Sequence, residues 1–103
     1  MLLFKKKFLD AIRRGEKTQT IRLWPHCRMR CGQRSYIPGV GYIRITQVQP
    51  VRLEDLTDAD ARPDGFASIA ELRAEIERLY AAQLAAGCQA YRIVFERLPP
   101  ADQ

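Results

Sequence analysis

The chain of 103 residues holds a single histidine, His26. Acid–base chemistry that needs two imidazoles is therefore excluded, and proton transfer must fall to lysine, carboxylate or hydroxyl groups. Cysteine is scarce and odd in number: Cys27, Cys31 and Cys88. Three thiols do not make a disulfide framework. No apolar run approaches the ~20 residues of a membrane-spanning helix, so no membrane partner is expected. The apolar stretch after the first lysines is broken by Asp10, Arg13 and Arg14, so it does not read as a signal peptide. The expectation is a cytoplasmic protein. No repeat and no linker divides the sequence. Residues 1–98 read as one domain and 99–103 as a loose C-terminal tail.

What is present suits a folded domain. Hydrophobic residues make up 47% and charged residues 28%, enough for a core without staples. The net charge of +5 is unevenly placed. Residues 1–34 hold ten Lys and Arg against Asp10 and Glu16, a net of +8, whereas the remainder holds seven Arg against ten acids, a net of −3. A basic first third fits a partner carrying phosphate, such as RNA or a nucleotide, if its cations converge on one face.

The stretch Gly15-Glu16-Lys17-Thr18-Gln19-Thr20-Ile21-Arg22 organises the chain. Before it, Phe8, Leu9 and Ile12 at helical spacing predict a helix over Lys5 to Arg14, with Gly15 as its stop. Lysines in that first turn oppose the helix dipole, so packing must hold the helix. After it, Thr18 to Trp24 predicts a strand that Pro25 ends. A Thr hydroxyl becomes a nucleophile when a base takes its proton, and a Lys amine of lowered pKa is such a base. Arg22 can lower that pKa, or clamp a phosphate or carbonyl. In a regular strand Thr20 and Arg22 share a face that Lys17 does not, so Lys17 and Thr20 meet only if the chain bends near Lys17.

The run His26-Cys27-Arg28-Met29-Arg30-Cys31-Gly32 lacks the paired knuckles of a structural zinc site, and its arginines repel a cation. No metal and no cofactor is expected; the run reads as an exposed basic loop. Leu2 to Phe4, Gln33 to Ile37 and Tyr42 to Val48 read as further strands, the last two joined by a hairpin at Pro38-Gly39-Val40-Gly41. Pro50 is expected to interrupt the ladder with a bulge or bend, curling the sheet. Thr57 predicts a capped helical turn. Pro63-Asp64-Gly65 predicts a tight turn, with the Asp64 carboxylate bonded within it. Ser68-Ile69-Ala70-Glu71 starts the clearest helix, with Ile69, Leu72, Ile76, Leu79 and Tyr80 as its core stripe and Arg73, Glu75, Glu77 and Arg78 in solvent. Gln89 to Leu98 is the last strand. The order of elements predicts an α+β domain, a curled, mostly antiparallel sheet with two main helices against it.

These residues carry a resemblance. The Gly15–Arg22 stretch, the strand-opening Gly32, Leu53 to Ala61, Asp64-Gly65-Phe66, Glu71-Leu72 and the terminal strand near Phe95 follow one another as in the ASCH domain family, related in fold to RNA-binding PUA domains. The resemblance covers roughly residues 2–97. It implies a PUA-like curled antiparallel β-barrel with a cleft, and a role in RNA-related processes. Some similar proteins hydrolyse the acetamide of N4-acetylcytidine with a Lys, a Thr and a carboxylate. By position these are Lys17 as base, Thr20 as nucleophile and Asp64 to place the amine or handle the leaving proton, with Arg22 on substrate or oxyanion. The similar amidohydrolases place Glu where this chain has Asp64, one methylene shorter. Two readings follow. One is an RNA- or nucleoside-binding module in which Lys17, Arg22, Arg28, Arg30 and Arg34 contact phosphates while Trp24 and Tyr36 stack bases. The other is a small amidohydrolase acting through Lys17, Thr20 and Asp64. Ribonuclease chemistry through Lys17 and Asp64 is a lesser third. Oligomeric state is left open.

Overall fold

A computed structural model describes residues 2–99. Helix α1 (Lys6–Arg13) is followed by strands β1 (Gln19–Trp24), β2 (Arg34–Ile37) and β3 (Gly41–Val51). After a 3-10 turn come the short helix α2 (Asp58–Ala61), α3 (Ile69–Leu79), α4 (Ala81–Ala85) and strand β4 (Gln89–Arg97). The four strands form one curled antiparallel sheet in the order β1-β4-β3-β2, a half-barrel. The last strand thus lies between the first and the third, and β1 and β2 form opposite edges.

Alternation along the strands divides the core in two. Ile37, Ile43, Ile45, Ile93 and Phe95 join Leu2 and Ile12 of the N-terminal segment and α1. Ile21, Leu23 and Ala90 point the other way and join Leu56, Ala61, Leu72 and Ile76 from α2, α3 and the loop before them. Because side chains on a strand alternate, the even-numbered Thr20 and Arg22 lie on the face opposite Ile21 and Leu23. Local signals set the helix starts. The Thr57 and Asp60 side chains form a reciprocal capping box. At α3 the Ser68 hydroxyl accepts from the Glu71 N–H, and the Glu71 carboxylate reaches back to the Ala67 N–H.

Several sequence expectations need correction. Leu2 to Phe4 is not a ladder strand; its Leu2 N–H donates to the Tyr36 carbonyl at 2.9 Å. Pro50 does not break β3, which runs on to Val51. There β3 has β4 on one side only, since β2 pairs with residues 41–44, and a missing N–H is tolerated on an open edge. The register slips instead between Ile45 and Gln47. The long helix bends out of line at Tyr80, whose φ of −122° and ψ of 27° are not helical. Leu79, expected in the core, is 39% exposed. Of the expected tail, residues 100–103 lie outside the described residues. Among the described residues no helix is long and apolar enough to cross a membrane.

Ile93 sits in the middle of β4 with no exposed surface. Ile93→Ala is expected to lower unfolding free energy by about 2–5 kcal/mol, the usual loss for emptying a packed site. Urea unfolding measures it; a loss within the scatter of surface substitutions would contradict this packing.

Candidate functional site

The outer edge of β1 borders a cavity of about 390 Å³. The N-terminal segment and α1 wall one side through Phe4, Lys5 and Phe8, and α3 walls the other through Leu72, Glu75 and Ile76. Lys17, Thr20, Arg22 and Asp64 all line it. The sequence left open whether these meet, and the local backbone explains how they do. Gly15, with φ of 77°, turns the chain out of α1. The Thr18 N–H then donates to the Pro63 carbonyl at 2.8 Å, tying the stretch to the Pro63-Asp64-Gly65 turn. Lys17 lies before the regular strand, so strand alternation does not send it away from Thr20.

Lys17 and Asp64 are each 3% exposed. The Lys17 Nζ stands 2.5 Å from the Asp64 Oδ1 and also donates to the Asp64 carbonyl. The carboxylate thus leaves its own turn, contrary to the sequence expectation, because a buried ammonium offers a stronger partner than a turn N–H. The shorter Asp reaches the amine. Gly65, with φ of 92°, lets the backbone pass beside the Lys17 stem. Three rings surround the amine: Phe8 at 4.9 Å, Phe66 at 5.6 Å and Phe4 at 5.7 Å from centroid to Nζ. Burial pushes the Lys17 amine below its ordinary value; Asp64 and then Glu75 draw it back up, and Arg22 pushes it further down. Burial likewise raises the Asp64 carboxyl against the pull of Lys17.

Thr20 is 6% exposed, and its Oγ1 accepts from the Arg22 Nε at 3.1 Å. The Arg22 guanidinium also donates to the Leu3 carbonyl at 2.6 Å and stacks 4.8 Å from the Phe4 ring. A fixed cation on the hydroxyl oxygen favours its deprotonated form. A hydroxyl, an amine of lowered pKa, a carboxylate and a guanidinium therefore share one largely apolar cavity. That set can move a proton from Thr20, carry charge on an oxyanion and hold a flat ligand among rings.

Two further groups escaped the sequence reading. Gln19 is buried, and its Nε2 donates to the Asp60 carbonyl at 2.9 Å while lying 3.5 Å from the Asp64 Oδ2. Glu75, expected in solvent, has a side chain only 12% exposed. It stands among the apolar residues α3 turns toward the cavity, and pairs with Lys7 of α1 at 3.1 Å. Its hydrogen bond from Arg78, and that from Lys7, hold its carboxyl at about 2. Its place beside the Leu72–Ile76 stripe was the available signal.

The expected phosphate and base contacts do not gather here. Of them, Lys17 and Arg22 alone line the cavity. Trp24 packs against Tyr91, ring centroids 5.7 Å apart, beside the first core. Arg28, Arg30, Arg34 and Tyr36 are exposed, on β2 and the loop before it, at the opposite sheet edge. Local sequence could not reveal that, because edge position depends on β4 pairing between β1 and β3. Among the described residues no group of three or more His, Cys, Asp or Glu could hold a metal ion. The Cys27 and Cys31 thiols are free and donate to the carbonyls of Met29 and Thr46.

No family model matches the chain, and no curated protein does. Solved structures do. The chain superposes on the crystal structure of an Enterococcus faecalis protein assigned to the family DUF984 with a TM-score of 0.73 at 17% identity, over 89% of this chain and 67% of that one. It superposes on the crystal structure of an ASCH domain from Lactobacillus crispatus with a TM-score of 0.71 at 18% identity, over 85% of this chain and 68% of that one. At such identity the likeness speaks for the fold: this chain has the α+β fold of the ASCH domain structure on which it superposes.

Proposed function

We propose that the cavity binds a nucleoside and hydrolyses an acyl amide on its base, with N4-acetylcytidine as the model substrate. The observation that carries this reading is the buried Lys17–Asp64 pair, which shares one cavity with Thr20 and Arg22. In the proposed reaction neutral Lys17 takes the Thr20 proton as Oγ1 attacks the amide carbon. Arg22 faces the oxyanion of the tetrahedral intermediate. Its collapse breaks the C–N bond, and Lys17 returns the proton to the leaving amino group. Water then attacks the acyl-Thr20 ester with Lys17 again as base, releasing acetate and the free hydroxyl. Asp64 holds the amine at its post, and Gln19 holds Asp64. The rings of Phe4, Phe8 and Phe66 offer faces to a base.

A polynucleotide backbone suits this cavity poorly. Its lining holds an ion pair rather than a patch of free cations, and much of its wall is apolar. A base or nucleoside is the better fit.

Purified protein with N4-acetylcytidine, followed by absorbance, tests the reading. Thr20→Val is expected to abolish turnover while leaving the fold intact by circular dichroism. Lys17→Arg keeps a cation beside Asp64 but removes a base that can deprotonate, so kcat should fall about 10²–10⁴-fold. A folded wild-type protein without turnover, or full activity in either variant, would sink the proposal.

The pH profile is a separate check. The base form of Lys17 accumulates as pH rises, and burial sets its pKa below the ordinary 10.5. kcat/KM should therefore climb tenfold per pH unit on the acid side and level off below that value. A profile still climbing at pH 10.5, or an acid limb left in place by Lys17→Arg, would remove Lys17 as the base.

A further inference from the structure

Glu75 has no part in the proposed reaction, yet it lines the cavity from α3 together with Leu72, Ile76 and Leu79. Its two partners are surface groups. The Lys7 and Arg78 side chains are 53% and 52% exposed, whereas that of Glu75 is 12% exposed. Exposed cations add little to stability through such pairs. Drawing a carboxylate from water into an apolar stripe is costly. Stability therefore explains the position poorly, and a ligand that uses the carboxylate explains it better.

Glu75 is also placed at the right end of the cavity. Lys17, Thr20 and Asp64 are buried and mark its inner end. Glu75 touches two half-exposed cations, and Leu79, one turn further along the same helix face, is 39% exposed. Those contacts put Glu75 at the mouth. In a pyrimidine ring the carbon that carries the amide nitrogen and the nitrogen that carries the sugar are opposite corners. A cytidine with its acyl carbon at Thr20 thus sends its sugar away from Thr20, toward the mouth. Of the two carboxylates lining the cavity, Asp64 is engaged by Lys17 at 2.5 Å. Glu75 is the other. A carboxylate offers about four lone-pair sites, which two cations do not fill. With two cations already on it, the place suits a neutral donor.

We infer that Glu75 accepts hydrogen bonds from the sugar hydroxyls of the bound nucleoside, so that the cavity selects a ribonucleoside. Carboxylates bind ribose hydroxyls in this way in dinucleotide sites. Lys7 and Arg78 hold the carboxylate charged and in place, with its carboxyl at about 2. The inference rests on the nucleoside reading of the cavity but not on its amide chemistry.

The test is calorimetric binding to Thr20→Val protein, in which the ligand stays intact. N4-acetylcytidine should bind about tenfold to a hundredfold tighter than its 2′,3′-dideoxy analogue, the usual worth of hydrogen bonds to a charged group. Adding Glu75→Gln should remove most of that difference and leave the affinity for the dideoxy analogue unchanged. Lys7→Met cuts the tie between α1 and α3 but keeps the carboxylate, so the difference should persist. Equal affinity for the two ligands overturns the inference, as does no binding of the ribonucleoside by folded protein. Equal weakening of both ligands by Glu75→Gln overturns it too, and so does loss of the difference in Lys7→Met, since Glu75 would then serve only as a clasp. The expected affinities in a protein whose wild type does not hydrolyse the amide would support the inference and remove only the acyl chemistry.

Discussion

The buried pair of Lys17 and Asp64 is the contact on which the rest of the site depends. It joins the junction before β1 to a turn 47 residues later in the chain. Both charges are removed from water, which is expensive, and a buried ion pair of this kind seldom stabilises more than a well-packed apolar substitute would. Its retention is therefore poorly explained by stability. It is better explained by placement: the pair keeps Lys17 fixed among the rings, where burial holds the amine below its ordinary pKa against the pull of Asp64, in a cavity that Thr20 also lines. The Gly15 turn, the tie from Thr18 to Pro63 and the left-handed backbone at Gly65 all serve that one placement.

Much of the fold was legible because its elements carry local signals. Ser68 and Glu71 announce α3, Gly15 ends α1, and the hairpin glycines sit between alternating strands. Errors arose where tertiary context overrode local chemistry. Pro50 is harmless because β2 is too short to reach it. Tyr80 leaves the helix because the chain there turns from one wall of the cavity to the next short helix. Glu75 looks solvated by residue type, yet it stands beside an inward stripe and meets a lysine from a helix far away in sequence.

The candidate site was legible in a different way. Lys17, Thr20, Arg22 and Asp64 were singled out by residue chemistry and by resemblance, and they do share a cavity. Residue chemistry alone did not bring Asp64 to Lys17, since a Pro-Asp-Gly turn satisfies its own carboxylate well enough on paper. The arginine loop was placed with them on the strength of charge and nearness in sequence. The sheet order separates the two groups, with β1 at one edge and β2 at the other. No local pattern encodes that order, because it depends on where the last strand inserts.

The separation also has a chemical logic. Lys17 can act as a base only if its amine is readily neutral. An anion brought into the cavity would favour the ammonium form, raise the pKa and suppress the very species the proposed reaction needs. The first third of the chain spreads its positive charge: Lys17 is matched by Asp64 inside, Lys5 and Arg22 also line the cavity, and Arg28, Arg30 and Arg34 stand on the far edge. The net charge of +8 over residues 1–34 is thus not one basic face: Lys7, Arg13 and Arg14 are spent on Glu75, Asp10 and Glu16 as well.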